Sequence, residues 1–191
     1  MSSTASPAGL KPIRHVNGKF VPAPRAILNG VASGYSADIY FQAPVTMSSN
    51  GTLIAATTAQ DIYGVFAGVQ YIANNTALMT PVSQFVSGTT YTAGTMYAYV
   101  WDDPYIIYEM QANGSLAATS VGDQADFVNP GSGSNGYSTT ALSTTLAGAG
   151  SSGQMRILGL STRIDNAWGD SFTVVETQIA RQQYTANKNA I

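Results

Sequence analysis

The chain contains no cysteine. That excludes disulfides, thiolate metal sites and a cysteine nucleophile, and it leaves the compartment open. Charge is the second scarcity: Asp, Glu, Lys and Arg make up 9% of 191 residues, against about 25% in an ordinary soluble domain. Gly, Ser, Thr, Ala and Asn take their place. So little charge lowers the usual barrier to association, and the composition predicts a chain packed against other chains. There is one histidine, His15, so a Ser–His pair or a histidine-rich zinc centre has almost nothing to draw on. No run approaches the roughly 18 apolar residues of a membrane-spanning helix. Met1–Ser6 leads into no apolar segment, so no secretory leader is expected and the chain is read as made or assembled in a cytoplasm.

What charge there is lies unevenly. Lys11, Arg14, Lys19 and Arg25 precede the first acid, Asp38, and the next basic residue after Arg25 is Arg156. Between those two arginines stand Asp38, Asp61, Asp102, Asp103, Glu109, Asp123 and Asp126. A basic arm thus precedes an acidic body. Such an arm reaches an acidic partner surface or stays solvated. Four cations over 15 positions are too thin for a nucleic-acid patch.

Pro7, Pro12, Pro22 and Pro24, half of the eight prolines, fall in the first 25 residues. Proline fixes φ and lacks an N–H, which excludes a helix or a central strand there. Leu10, Ile13, Val16, Phe20 and Val21 are apolar pegs on this arm, which lies on its own domain or on a neighbour. The length suits one domain with an appendage: residues 1–26 as an extended arm and 27–191 as a single β domain.

The body is a series of short Val-, Ile-, Tyr-, Phe- and Thr-rich runs. Strands are predicted at 38–41, 44–47, 52–57, 62–72, 96–102, 105–112, 155–163 and 172–183. Alternation is clearest in MRILGLSTR and FTVVETQIARQQ. Period-two texture with turn signals at this spacing predicts an all-β fold, an antiparallel β-barrel or β-sandwich with long loops. Asn50-Gly51 predicts a hairpin with positive φ at both central positions. Asp102-Asp103-Pro104 predicts a second hairpin. The run from Ser138 to Leu146 is the best place for a short helix. The segments 129–136 and 147–153 read as flexible loops, and neither has the spacing of a nucleotide-binding loop.

Few groups carry chemistry. A hard cation needs only oxygens, and Asp102, Asp103, Glu109, Asp123 and Asp126 are close enough in sequence to be considered. Their spacing matches no EF-hand, and turn carboxylates are the reading preferred. Asp165 and Asp170 bracket a tight corner, Asp-Asn-Ala-Trp-Gly-Asp, and a glycan-cleaving carboxylate pair is weighed there. The alternative is structural: Asp165 and Asn166 bond nearby backbone, Gly169 takes a φ that other residues resist, Trp168 plugs the end of the fold, and Asp170 is a turn carboxylate. Eleven tyrosines, four of them Tyr97, Tyr99, Tyr105 and Tyr108, fit either a core or an interface.

The blocks "ILNGVASGYSADIYFQAPV", "GVFAGVQYI", "YAYVWDDPYIIYEMQA", "DQADFVNPGSGSNGYST" and "MRILGLSTRIDNAWGDSFTVVETQIARQQY" resemble, in this order, a family of head-associated virion structural proteins of tailed bacteriophages. These are interpreted as capsid decoration or cement proteins. The resemblance implies a β-rich, non-enzymatic homotrimer, without cofactor or metal, bound to the major capsid protein on the outer capsid surface at capsomer seams, after assembly in the host cytoplasm. A tail- or vertex-associated adaptor is the alternative. Membrane and nucleic acid are not expected partners. The arm residues Leu10, Lys11, Pro12, Ile13, Arg14, His15, Phe20 and Arg25 are the expected attachment set, and deleting residues 1–25 is expected to leave the β domain folded.

Overall fold

A computed structural model describes residues 4–74 and 78–185. Fourteen strands follow in chain order: β1 (Lys11–His15), β2 (Arg25–Leu28), β3 (Pro44–Met47), β4 (Leu53–Ala55), β5 (Gly64–Ile72), β6 (Met79–Val82), β7 (Tyr97–Trp101), β8 (Ile106–Gln111), β9 (Gln124–Val128), β10 (Gly133–Ser134), β11 (Tyr137–Ser138), β12 (Ala141–Leu146), β13 (Met155–Leu160) and β14 (Val174–Ile179). A single 3-10 turn at Ala118–Ser120 is the helical element among the described residues.

Sheet one runs β1-β8-β14-β13-β9-β12 and sheet two runs β2-β7-β5-β3-β4, with β6 added to β5. Every pairing between these strands is antiparallel. Sheet one curls until β12 meets the end of β8 at one parallel bridge, Ala112 to Leu142. It does not close, so the arrangement is sandwich-like and not a barrel.

Each sheet has its own core. Tyr108, Met110, Phe127, Leu142, Ile157 and Val175 fill the hollow of sheet one, and Ile62 and Val65 close it from the side of sheet two. Val45, Phe66, Val69, Ala98 and Val100 line one face of sheet two, covered by Val31, Ile39, Phe85 and Tyr91. Adjacent side chains of β5, Val65 and Phe66, point into different cores, as alternation along a strand requires. A bulge between Phe66 and Gly68 resets that alternation halfway along.

The long predicted runs at 155–163 and 172–183 do pair, from Met155 with Ile179 to Leu160 with Val175. Four readings are corrected. Ser138–Leu146 is not helical: Tyr137–Ser138 and Ala141–Leu146 are strands, because Thr139, Thr140, Thr144 and Thr145 are β-branched and cross-strand partners exist in β9. Residues 38–41 form two isolated bridges, not a strand. Asp102-Asp103-Pro104 joins no hairpin, since β7 lies in sheet two and β8 in sheet one. The segment is the crossover between the sheets, bent where the Asp103 carboxylate accepts the Tyr105 N–H. Asn50-Gly51 does turn β3 into β4, but only Gly51 has positive φ. Both positions are positive instead at Asn135 and Gly136, at 50° and 84°, which turns β10 into β11 inside a segment read as loop.

Candidate functional site

The arm is built into the fold. Pro12 excludes a central strand, and β1 is accordingly an edge strand, paired on β8 alone. The register slips between Pro12 and Arg14. Three residues therefore advance the strand by two positions, and Lys11 and Arg14 come to share one face. The same face carries Glu109 of β8 and Glu176 of β14, which stand directly opposite each other. Like charges so placed are destabilising, and the arm supplies their counterions. Arg14 lies 2.5 Å from Glu176 and Lys11 lies 3.6 Å from Glu109. Further along, His15 meets Asp103 at 3.4 Å and Arg25 meets Asp102 at 2.7 Å. The Arg25 guanidinium also lies 5.6 Å from the centre of the Tyr63 ring.

The acidic surface that the basic arm reaches is thus its own. Leu10 is wholly buried in the core of sheet one, with its N–H on the Gln42 carbonyl, so it is withdrawn from the expected attachment set. Lys11, Arg14 and Arg25 carry in-chain ion pairs, His15 lies against Asp103, and Pro12 and Ile13 are half-buried.

Glu109 joins the arm to the corner, which sequence reading treated as separate places. Its carboxylate accepts from Arg163 Nη2 at 2.7 Å and from the Ser161 hydroxyl, besides facing Lys11. Burial alone would raise this carboxyl. The hydrogen bonds from Arg163 and Ser161, with the charges of Arg163 and Lys11, outweigh burial and hold it below the ordinary carboxylate value. Ser161, Arg163 and Glu176 were not singled out in the sequence. Strict alternation in MRILGLSTR puts Ser161 on the face of Met155 and Ile157, but a bulge between Ile157 and Gly159 moves it to the face of Glu109.

The corner is held by Asn166. Its Nδ2 donates to the carbonyls of Ser161 and Val174, and its Oδ1 accepts the Val174 N–H at 2.9 Å. Asp170 caps the turn, accepting the Ala167 N–H at 2.8 Å. Gly169 has φ +89° and donates its N–H to Leu116. Trp168 is half-buried and packs on the core of sheet one. Asp165 is exposed, with Arg163 as its electrostatic neighbour.

Two further carboxylates have structural partners. Asp61 pairs with Arg181 at 2.9 Å, Asp126 accepts the Gln154 N–H, and among the described residues no three acids or histidines gather as metal ligands would. A cavity beside Glu109, walled by Ser6, Lys11, Gln111 and Arg163, has about 40 Å³, which is room for about one water molecule.

One part of the arm turns outward. After β1 the chain folds tightly: Gly18 donates its N–H to His15, His15 to Lys19, and Val16 to Tyr105, while the Asn17 side chain accepts the Lys19 N–H. This braced tip presents Phe20 at 96% exposure, with Val16 and Tyr105 also exposed. Ile13, Arg14, Gly18, Lys19 and Phe20 border an open concavity of about 710 Å³. The Lys19 ammonium joins no ion pair among the described residues. Comparison of the chain with family models, with curated proteins and with solved structures gives no match.

Proposed function

We propose that the protein is a structural component of a tailed-phage virion, a cement or decoration protein that binds the outer surface of the capsid at capsomer seams, with the major capsid protein and further copies of itself, as a trimer, for partners. The observation that carries this reading is the arm tip. A Phe side chain 96% exposed, on a turn braced by backbone hydrogen bonds, costs solvation in the free protein and suits a pocket in a partner. Lys19 beside it, in no ion pair among the described residues, suits an acidic or polar rim. Docking therefore falls to Val16, Lys19 and Phe20, while the rest of the arm anchors the tip to the body. The in-chain counterions of Glu109, Glu176, Asp61 and Asp102, with the Tyr105 N–H on Asp103, support a structural role for those carboxylates. Weak contacts repeated by a trimer on several capsid subunits multiply through effective concentration. Binding only the assembled shell stabilises it by linkage.

The test is rebinding. Heads stripped of this protein and remixed with it should recover it in hundreds of copies and disrupt at a higher temperature. Phe20→Ala should weaken rebinding by at least about tenfold with the fold intact. Rebinding indifferent to Phe20, or a dozen or fewer copies per particle, refutes the assignment, and the latter points to a tail or vertex position.

A further inference from the structure

The outward face of sheet two is only partly covered. Strands β2, β7, β5 and β6 lie side by side, and their register aligns Leu28, Tyr97, Gln70 and Pro81 in one row. The next row holds Ala26 and Tyr99 beside Gly68. Lower on the same face Val65 and Trp101 pack on the core of sheet one. Above them that cover ends: Leu28 is 52% exposed, Tyr97 36%, and Met79, at the outer edge, 50%. Neither row contains a charged side chain. At the bulge, where Gly68 has φ +121°, an open hollow of about 310 Å³ is walled by Ala67, Pro81, Val82, Ser83 and Tyr99. Any side chain at position 68 would collide with the Val82 carbonyl, 2.8 Å from its Cβ, so the hollow depends on glycine.

We infer that this face is a contact surface between two copies of the chain, distinct from the contacts within the proposed trimer. A charge-free patch meets its own copy without like-charge repulsion, as a two-fold interface requires. It offers no field by which a foreign partner would be steered or selected. At its centre the Gln70 Oε1 accepts the Tyr99 hydroxyl at 3.2 Å, and its Nε2 bonds to no group among the described residues. A second Gln70 across a two-fold axis supplies the acceptor. Size sets the strength. Four strands about 4.8 Å apart, over about five residues of about 3.3 Å each, cover roughly 300 Å² per copy. Two such faces bury roughly 600 Å², below the 1,200–2,000 Å² or so of stable complexes. Pairing is therefore weak and reversible, and takes hold where copies are concentrated.

Sedimentation equilibrium of the full chain, with no shell present, tests this. The average mass should rise with concentration between about 10 μM and 1 mM, the range of weak interfaces. Tyr97→Glu and Leu28→Glu, both at exposed positions, should each weaken association at least about tenfold. Tyr97→Phe, Phe20→Ala and Val121→Glu, the last two lying outside this face, should not. A mass independent of concentration overturns the inference, and so does association that survives both glutamates. Neither result touches shell docking through Phe20, which the rebinding test reads separately.

Discussion

Leu10→Ala separates an arm built into the fold from an arm that only decorates it. Leu10 has no solvent exposure and lies in the same core as Tyr108, Met110 and Leu142. Its removal takes away the transfer free energy of the deleted methyl-bearing carbons and leaves a cavity that a packed β core closes only in part. Together these cost about 3 to 5 kcal/mol. For a domain of this length about 2 to 4 °C of melting temperature follows each kcal/mol, so a fall of roughly 6 to 20 °C is expected. Thermal unfolding followed by circular dichroism reads it, with a matching fall in the urea midpoint at an unchanged slope. Phe20→Ala, ten residues away and 96% exposed, should move neither and serves as the control. A fall below about 2 °C would mean that Leu10 spends its time outside the core, and the arm would again be a free appendage. The same reasoning argues against the expectation that deleting residues 1–25 leaves the β domain folded. The deletion removes β1, the Leu10 anchor and the counterions of Glu109, Glu176 and Asp102, and unfolding or aggregation of the truncated chain is expected.

Asn166→Ala removes three side-chain bonds to the backbone of Ser161 and Val174, so a loss of about 2 to 3 kcal/mol is expected, with faster hydrogen exchange at the Val174 N–H. A loss under about 0.5 kcal/mol would show that the β13–β14 corner is held by other contacts. Glu109 makes stability depend on acid. Its folded value lies below the ordinary 4.5, so the stabilisation is fully present above 4.5 and is lost as pH falls through the depressed folded value. Urea unfolding across that acid range should show a slope that Glu109→Gln flattens, and an equal slope in the variant would refute the role given to the Arg163–Glu109–Lys11 cluster.

The elements legible in the sequence are those whose signal is local. Alternation in MRILGLSTR and FTVVETQIARQQ identified two strands and their pairing, and the prolines confined the arm to an edge. The misread elements depend on partners distant in the chain. Nothing near Asp102 reveals that Arg25, 77 positions earlier, draws it toward sheet two while Tyr105 starts sheet one. Tyr137–Leu146 carries the same small and hydroxylated residues whether it forms a helical turn or a strand, and cross-strand pairing with β9 decides. The arm's cations were visible, but their destination was not. It required the register slip at Pro12, a feature of tertiary pairing that no residue type announces. At the corner, turn chemistry placed Asp165 and Asn166 in backbone-bonding roles. Asn166 fills its role, while the carboxylate that accepts a backbone N–H is Asp170 and not the exposed Asp165, and the Arg163–Glu109 bond depends on β14 lying next to β8.

How the charges are used bears on how such a chain associates. Lys11, Arg14, Arg25, Arg163 and Arg181 all face acids of the same molecule. Fields of opposite sign at such short range cancel beyond a Debye length of about 8 Å, so these groups hold the fold and contribute little to attracting anything outside it. At the two proposed contact surfaces what remains outward is, Lys19 apart, apolar or neutral: Phe20 with Val16 at one place, and the Leu28–Tyr97–Gln70 row at another. Neutral contacts of this kind form slowly and individually weakly, because nothing steers the encounter. They become effective when many copies are presented in fixed geometry, where each contact raises the local concentration for the next. A chain with 9% charged residues that uses most of its cations internally is therefore better suited to a site in an ordered array than to catching a dilute partner.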